Sequence, residues 1–363
     1  MSRTFILAAS GAVIGLLALV LNHYGNPPNM GVCVACFLRD VAGGVKLHNV
    51  ASLQYLRPEI FGFVLGAFLM ALAFREFRPR AGSSPLIRFS LGFLMMVGCL
   101  VFLGCPLRMV LRIAGGDLNA MVGLAGFICG IGGGTLFLKR DFALPANQSQ
   151  TKTEGVIFPL LCMFVFALAL WKSEWFAASQ QGSGAMHAPL VLSLVAGLVI
   201  GGIVQRTRFC FIGMVNHIFL FGRWSMALGV IALIIVVLIG NVASGQIHLG
   251  FAGQPIAHTD GVWNFLSMAL VGWCGVYLGG CPLRQLVNAG QGDGDAAVVT
   301  LGMLLGAAVT HNFNLASSVS GPTAGGKTTI VIGLVFVGVM GWLSLMRRAA
   351  LKRAEADSGK HDF

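Results

Sequence analysis

Ten stretches of about twenty predominantly apolar residues run through this chain, each long enough to cross the hydrocarbon core of a bilayer as a helix. They lie at 5–22, 58–75, 86–104, 119–138, 156–175, 188–205, 224–244, 262–280, 296–315 and 328–346. Backbone in lipid must satisfy its own hydrogen bonds, so the pattern predicts an all-α integral membrane protein. Composition agrees, since 56% of the 363 residues are hydrophobic and 10% are charged, against about a quarter charged in soluble domains. No polar stretch approaches the size of a soluble catalytic domain. The chain therefore reads as a transporter and not an enzyme, with no cofactor implied.

The formal charge of +11 does not indicate nucleic acid, because the basic residues sit between apolar segments and in the tail "RRAALKRAEADSGKHDF". They read as an orientation signal. An N-terminus on the inner side puts Arg75, Arg78, Arg80, Arg88, Lys139, Arg140, Lys152, Arg206, Arg208, Arg223, Arg347, Arg348, Lys352 and Arg353 on that side. A multi-pass protein with both termini cytoplasmic is predicted. Residues 1–22 read as the first membrane helix and not a cleaved signal peptide.

One short motif is written twice. GCPLR occurs at 104–108 and at 280–284, each followed by an aspartate, Asp117 and Asp293. Cys33 precedes Cys105 by 72 residues and Cys210 precedes Cys281 by 71, so two halves of one fold are repeated. One extra apolar segment separates them, which predicts that the halves are inverted, as in transporters whose site lies at the repeat interface. The expected divisions are 1–140 for the first repeat, 141–187 for a linker with the extra helix, 188–320 for the second repeat, 321–346 for a final helix and 347–363 for a basic tail. The segments 33–48, 105–115, 208–222 and 281–291 are too short to span, and are predicted to be four re-entrant half-helices.

In GCPLR, glycine permits a sharp break and proline suits the first helical turn. Cysteine then falls at a helix N-terminus, where free N–H groups and the macrodipole favour an anion and a thiolate. Arg108 and Arg284, three residues on, share its face, giving an anion-attracting cup with a soft sulfur at its lip. An arginine in a membrane segment marks either a pathway or a structural tie to carbonyls or an acid. Asp117 and Asp293 are predicted N-caps. In the other repeated element, Cys33 aligns with Cys210, Arg39 with Asn216 and Asp40 with His217. Seven-residue spacing puts Cys33 with Asp40, and Cys210 with His217, on one helix face.

Two motif matches carry less weight. CVAC at 33–36 is a single CxxC, and Cys36 aligns with Gly213, so symmetry keeps only Cys33; no metal set is read from it. GPTAGGKT at 321–328 fits a phosphate-binding loop but precedes a membrane helix and lacks a strand, so it reads as a connector. Cys99, Cys129, Cys162 and Cys274 are assigned to packing.

The two GCPLR segments, NPPNMGVCVACFLRD, RFCFIGMVNH and GPTAGGKTT together resemble the YeeE/YedE family of membrane transporters, most closely its selenium-transport branch. The resemblance implies an inverted-repeat fold in a bacterial inner membrane, and passage of a sulfur-bearing ion along cysteines on a central path, as in the family's thiosulfate transporters. It makes Cys33, Cys105, Cys210 and Cys281 the pathway residues, with Arg39, Arg108 and Arg284 as supports and Asp40 and His217 as further candidates. It also implies a small soluble sulfur or selenium carrier protein as a partner at the inner face. The leading expectation is uptake of a small selenium-containing solute, with thiosulfate or another sulfur compound as the alternative. Two rivals are a membrane thiol-disulfide oxidoreductase using Cys33 and Cys36, and a transporter of soft metal ions.

Overall fold

In the computed structural model, residues 3–140 and 142–358 are described, with side chains through Met346. The expected all-α membrane architecture is present. Nine described helices are long and apolar enough to cross a membrane, and a tenth apolar helix, Pro58–Ala73, is shorter at 16 residues. In chain order the helices are α1 (Arg3–His23), α2 (Val34–Gly44), α3 (Pro58–Ala73), α4 (Pro85–Phe102), α5 (Pro106–Ala114), α6 (Leu118–Lys139), α7 (Lys152–Trp171), α8 (Leu190–Thr207), α9 (Phe211–Phe221), α10 (Ser225–Ala243), α11 (Gly261–Leu278), α12 (Pro282–Gly290), α13 (Gly294–Asn312) and α14 (Ala324–Ser358). Two-residue strands β1 (Arg80–Ala81) and β2 (Gln148–Ser149) pair antiparallel in a loop region.

All ten apolar windows correspond to helices. The ends differ most from expectation in two helices. The helix expected at 156–175 begins at Lys152, because Thr151 and Glu154 form a capping box that starts it earlier. The last helix runs on to Ser358, so much of the expected tail continues it; residues 359–363 lie outside the described residues.

Packing joins the two halves helix by helix. Helix α1 lies on α10 as α8 lies on α3, and α6 lies on α11 as α13 lies on α4. The short helices match too: α2 and α9 have 11 residues, α5 and α12 have nine. Glycine sets the closeness of these pairs. A Cβ on Gly62 of α3 would lie 2.7 Å from Gly197 Cα of α8, and one on Gly130 of α6 would collide with the Ala269 carbonyl of α11. Such small-residue contacts let backbones approach where lipid offers no hydrophobic drive to pair helices.

The core holds three of the four short helices, whereas α9 is only partly buried. All 11 residues of α2 are buried, as are Pro106–Arg112 of α5 and Pro282–Val287 of α12. Helices α7 and α14 pack at the outside, with large apolar side chains such as Phe164, Trp171, Phe336 and Trp342 exposed, as a lipid-facing surface requires. Helix α5 ends where Gly115 O accepts from His248 N in the α10–α11 loop, whereas α12 ends where Gln291 O accepts from Arg78 N in the α3–α4 loop. Helices α5 and α12 therefore terminate on different loops.

Candidate functional site

Each of the four short helices is N-capped by a cysteine: Cys33 on α2, Cys105 on α5, Cys210 on α9 and Cys281 on α12. Pro106 and Pro282 follow directly, in the first helical turn, where a missing N–H is harmless. On α2 and α9 the thiol itself accepts a backbone N–H, Cys36 N to Cys33 Sγ and Gly213 N to Cys210 Sγ, both 3.4 Å. A helix start with few other acceptors presents its remaining N–H groups to whatever lies in front.

The glycine of GCPLR has a different job from the one its conformational freedom suggests. The left-handed residues are the ones before it, Leu103 (φ 63°) and Gly279 (φ 75°). A Cβ on Gly104 would stand 2.9 Å from Arg108 Cδ, and one on Gly280 would stand 2.8 Å from Arg284 Cγ. The glycine makes room for the arginine stem, which folds back over the helix start.

The structure gathers the predicted cysteines into two groups. In the first, Cys33 Sγ lies 3.8 Å from Cys105 Sγ and 3.0 Å from Cys36 Sγ, and Arg108 reaches Cys36 Sγ at 3.8 Å. In the second, Cys210 and Cys281 are neighbours within electrostatic range of each other and of Arg284. Cys99, assigned to packing, lies within electrostatic range of Cys33, Cys36 and Cys274. All nine cysteines are free thiols.

The arginines differ in how they are held. Arg108 is fully buried and donates to the carbonyls of Asn29 (3.2 Å), Ile256 (3.2 Å), Pro255 (3.4 Å) and Leu103. Leu103 and Ile256 both have positive φ, 63° and 50°, an uncommon state for a residue with a side chain and an outlier for a β-branched one. Arg284 donates to the Val204 carbonyl at 3.0 Å and is 8% exposed. Neither arginine forms an ion pair among the described residues.

Asp40 does. Its Oδ1 accepts from Arg39 Nε (2.9 Å) and Nη2 (2.7 Å), and its Oδ2 accepts from Arg57 Nε at 2.8 Å. Arg57 also donates to the carbonyls of Met186 (2.9 Å) and Ser183 (2.7 Å). The Asp40 carboxylate is thus fully engaged and ties α2 to the loop before α8, while Arg39 remains within electrostatic range of Cys36. His217 stands apart from the thiols' contacts, its ring against Phe221 with centroids 5.5 Å apart. Asn216, aligned with Arg39, accepts from Thr135 Oγ1 at 2.8 Å.

Asp117 and Asp293 cap α6 and α13, accepting from Asn119 N (2.9 Å) and Ala296 N (3.1 Å). Each also pairs with an arginine at 2.7 Å, Asp117 with Arg112 and Asp293 with Arg80. The phosphate-loop look-alike opens α14, where Thr323 Oγ1 accepts from Gly326 N and Lys327 lies 3.8 Å from Asp260. Among the described residues, no strand leads directly into it.

Sequence reasoning missed Arg57 and Arg112. Arg112 was detectable, standing one turn beyond Arg108 and five residues before Asp117. Arg57 gave no local signal, because its partner Asp40 lies 17 residues away in sequence. No group of three or more metal-ligating side chains suited to an ion occurs among the described residues.

Residues 206–359 match the family described as Sulphur transport. The second half of the chain is similar to sulphur transporters. The match takes in Cys210, Cys281 and Arg284 together with helices α9 to α14, and the first half carries its own GCPLR segment. No curated protein matches the chain.

Proposed function

We propose that this protein takes up a small sulfur-containing anion across a bacterial inner membrane by passing it between the two thiol groups, Cys33 with Cys105 and Cys210 with Cys281. The reading rests on one observation: four cysteines cap four short helices and come together in pairs, each pair beside an arginine with no acidic partner among the described residues. Polarizable thiols suit soft sulfur, and helix N-termini with Arg108 and Arg284 suit negative charge. Weak successive sites let a solute enter without being trapped.

In this reading the halves are inverted, the short helices are re-entrant, and both termini are cytoplasmic. Arg39 acts as a support, Asp40 holds Arg39 and Arg57 in place, and His217 lies on the path beyond Cys210. A selenium-containing solute demands nearly the same soft, anion-tolerant site, and the similarity to sulphur transporters favours thiosulfate as the first substrate to test. A small soluble sulfur carrier would take delivery at the cytoplasmic face.

The test is uptake of labelled thiosulfate into proteoliposomes, with selenite, selenide and sulfide as competitors. Saturable uptake inhibited by the soft competitors supports the reading, whereas transport of none of the four contradicts it. A second reading has its own support in the 3.0 Å separation of Cys33 and Cys36, which suits a reversible dithiol. It requires a quinone or thioredoxin-like partner, and finding both only as free thiols by mass spectrometry under oxidising growth would remove it.

A further inference from the structure

A cavity of about 230 Å³ is lined in part by Arg39, Ser183, Leu103, Ile256, His311 and Ser317. It borders the Arg108 clamp, since Leu103 and Ile256 line it and their carbonyls accept from Arg108. A water takes roughly 30 Å³ of liquid volume, so the space admits a small oxyanion with part of its hydration shell.

The wall of this cavity carries polar groups left without partners. Ser317 is 91% buried, and its Oγ makes no hydrogen bond; His311 Nε2 is likewise buried and unbonded. A buried hydroxyl and ring nitrogen without partners cost about 1–3 kcal/mol each, a cost that an arriving ligand removes. Arg39 supplies charge, because its Nε and Nη2 hold Asp40 and Nη2 also reaches Ser183 Oγ at 3.2 Å, leaving Nη1 without a described partner. Asp40 is shared between Arg39 and Arg57, so one carboxylate faces two guanidinium groups, and Arg108, bonded to the neighbouring Leu103 and Ile256 carbonyls, has no ion pair among the described residues. The His48 ring, 5.0 Å from that of His311, is fixed by the Arg39 carbonyl at 3.0 Å.

We propose that this cavity is an oxyanion vestibule, in which Arg39, Ser183, His311 and Ser317 hold the oxygen end of a small sulfur or selenium oxyanion before any thiol engages it. The inference rests on the transport reading but makes a separate claim. Recognition in the vestibule depends on oxygen and charge alone, so sulfate, which offers no sulfane sulfur to a thiol, occupies it as a competitor.

Equilibrium binding of labelled thiosulfate and of labelled sulfate to the purified full-length protein tests this. The wild type is expected to bind both, with mutual competition. His311→Phe with Ser317→Ala is expected to weaken both by about tenfold or more, the loss of roughly 1.4 kcal/mol. Cys33→Ala with Cys105→Ala is expected to bind both within about threefold of wild type while uptake of thiosulfate is lost. Ser317→Ala alone, which removes one oxygen, guards against misfolding of the double variant and is expected to weaken both by a smaller factor with unchanged thermal unfolding. Absent sulfate binding, or binding lost with the cysteines and kept without His311 and Ser317, overturns the vestibule. Anion binding without any thiosulfate uptake by the wild type instead overturns the transport reading and leaves the vestibule standing.

Discussion

The first GCPLR segment grips its arginine with four carbonyls and the second holds its arginine by one. Arg108 is fully buried under four carbonyls, two of them from the α10–α11 loop. Arg284 has a single described carbonyl partner and keeps some exposure. Identical letters therefore do different work: in the first half the guanidinium closes a structural clamp beside the thiols, and in the second it offers charge. The thiols follow the same division, with three sulfurs meeting in the first group, where Cys36 has been added, and two in the second.

Truncating the two arginines exposes this difference most strongly. Arg108→Ala leaves buried carbonyls without a donor, at about 1–3 kcal/mol each, and is expected to lower the thermal unfolding temperature of the purified protein markedly. Arg284→Ala is expected to leave unfolding near wild type while reducing uptake by about tenfold. Equal destabilisation by both would break the comparison.

The capping aspartates give a smaller contrast. Asp117→Asn keeps the cap and loses an ion pair whose partners are 0% and 1% exposed, so it is expected to cost about 3 kcal/mol or more. Asp293→Asn loses a pair whose arginine is 41% exposed, and about 0–1 kcal/mol is expected. Denaturant unfolding of both variants measures the gap. Smallest of all, Cys36→Ala is expected to leave thiosulfate uptake within about threefold of wild type, because Cys36 occupies the position that Gly213 fills in the second half. A loss as deep as that of Cys33→Ala, read in the same assay, would instead make the extra sulfur part of the path.

Much of this was legible in the sequence, for identifiable reasons. Hydropathy windows locate helices well because lipid permits little else, and all ten corresponded to helices. Proline and a cysteine at fixed spacing announced the starts of the short helices α5 and α12. What failed to show was where side chains fold back. The glycine of GCPLR looked like a hinge, yet its place is fixed by the Arg108 and Arg284 stems lying over it. Asp40 looked like a path residue on α2, yet Arg57, on a loop 17 residues away, closes it into an ion pair. Cys36 looked redundant by symmetry, yet its sulfur touches both Cys33 and Arg108. Such partners come from tertiary contacts that no local period encodes.

Labelled thiosulfate uptake by Cys105→Ala and Cys281→Ala proteins, each confirmed as folded and inserted, bears most directly on the thiol relay. One sulfur is removed from each half, so both variants are expected to fall to background. Uptake at the wild-type rate in both would mean that the solute crosses without the thiols.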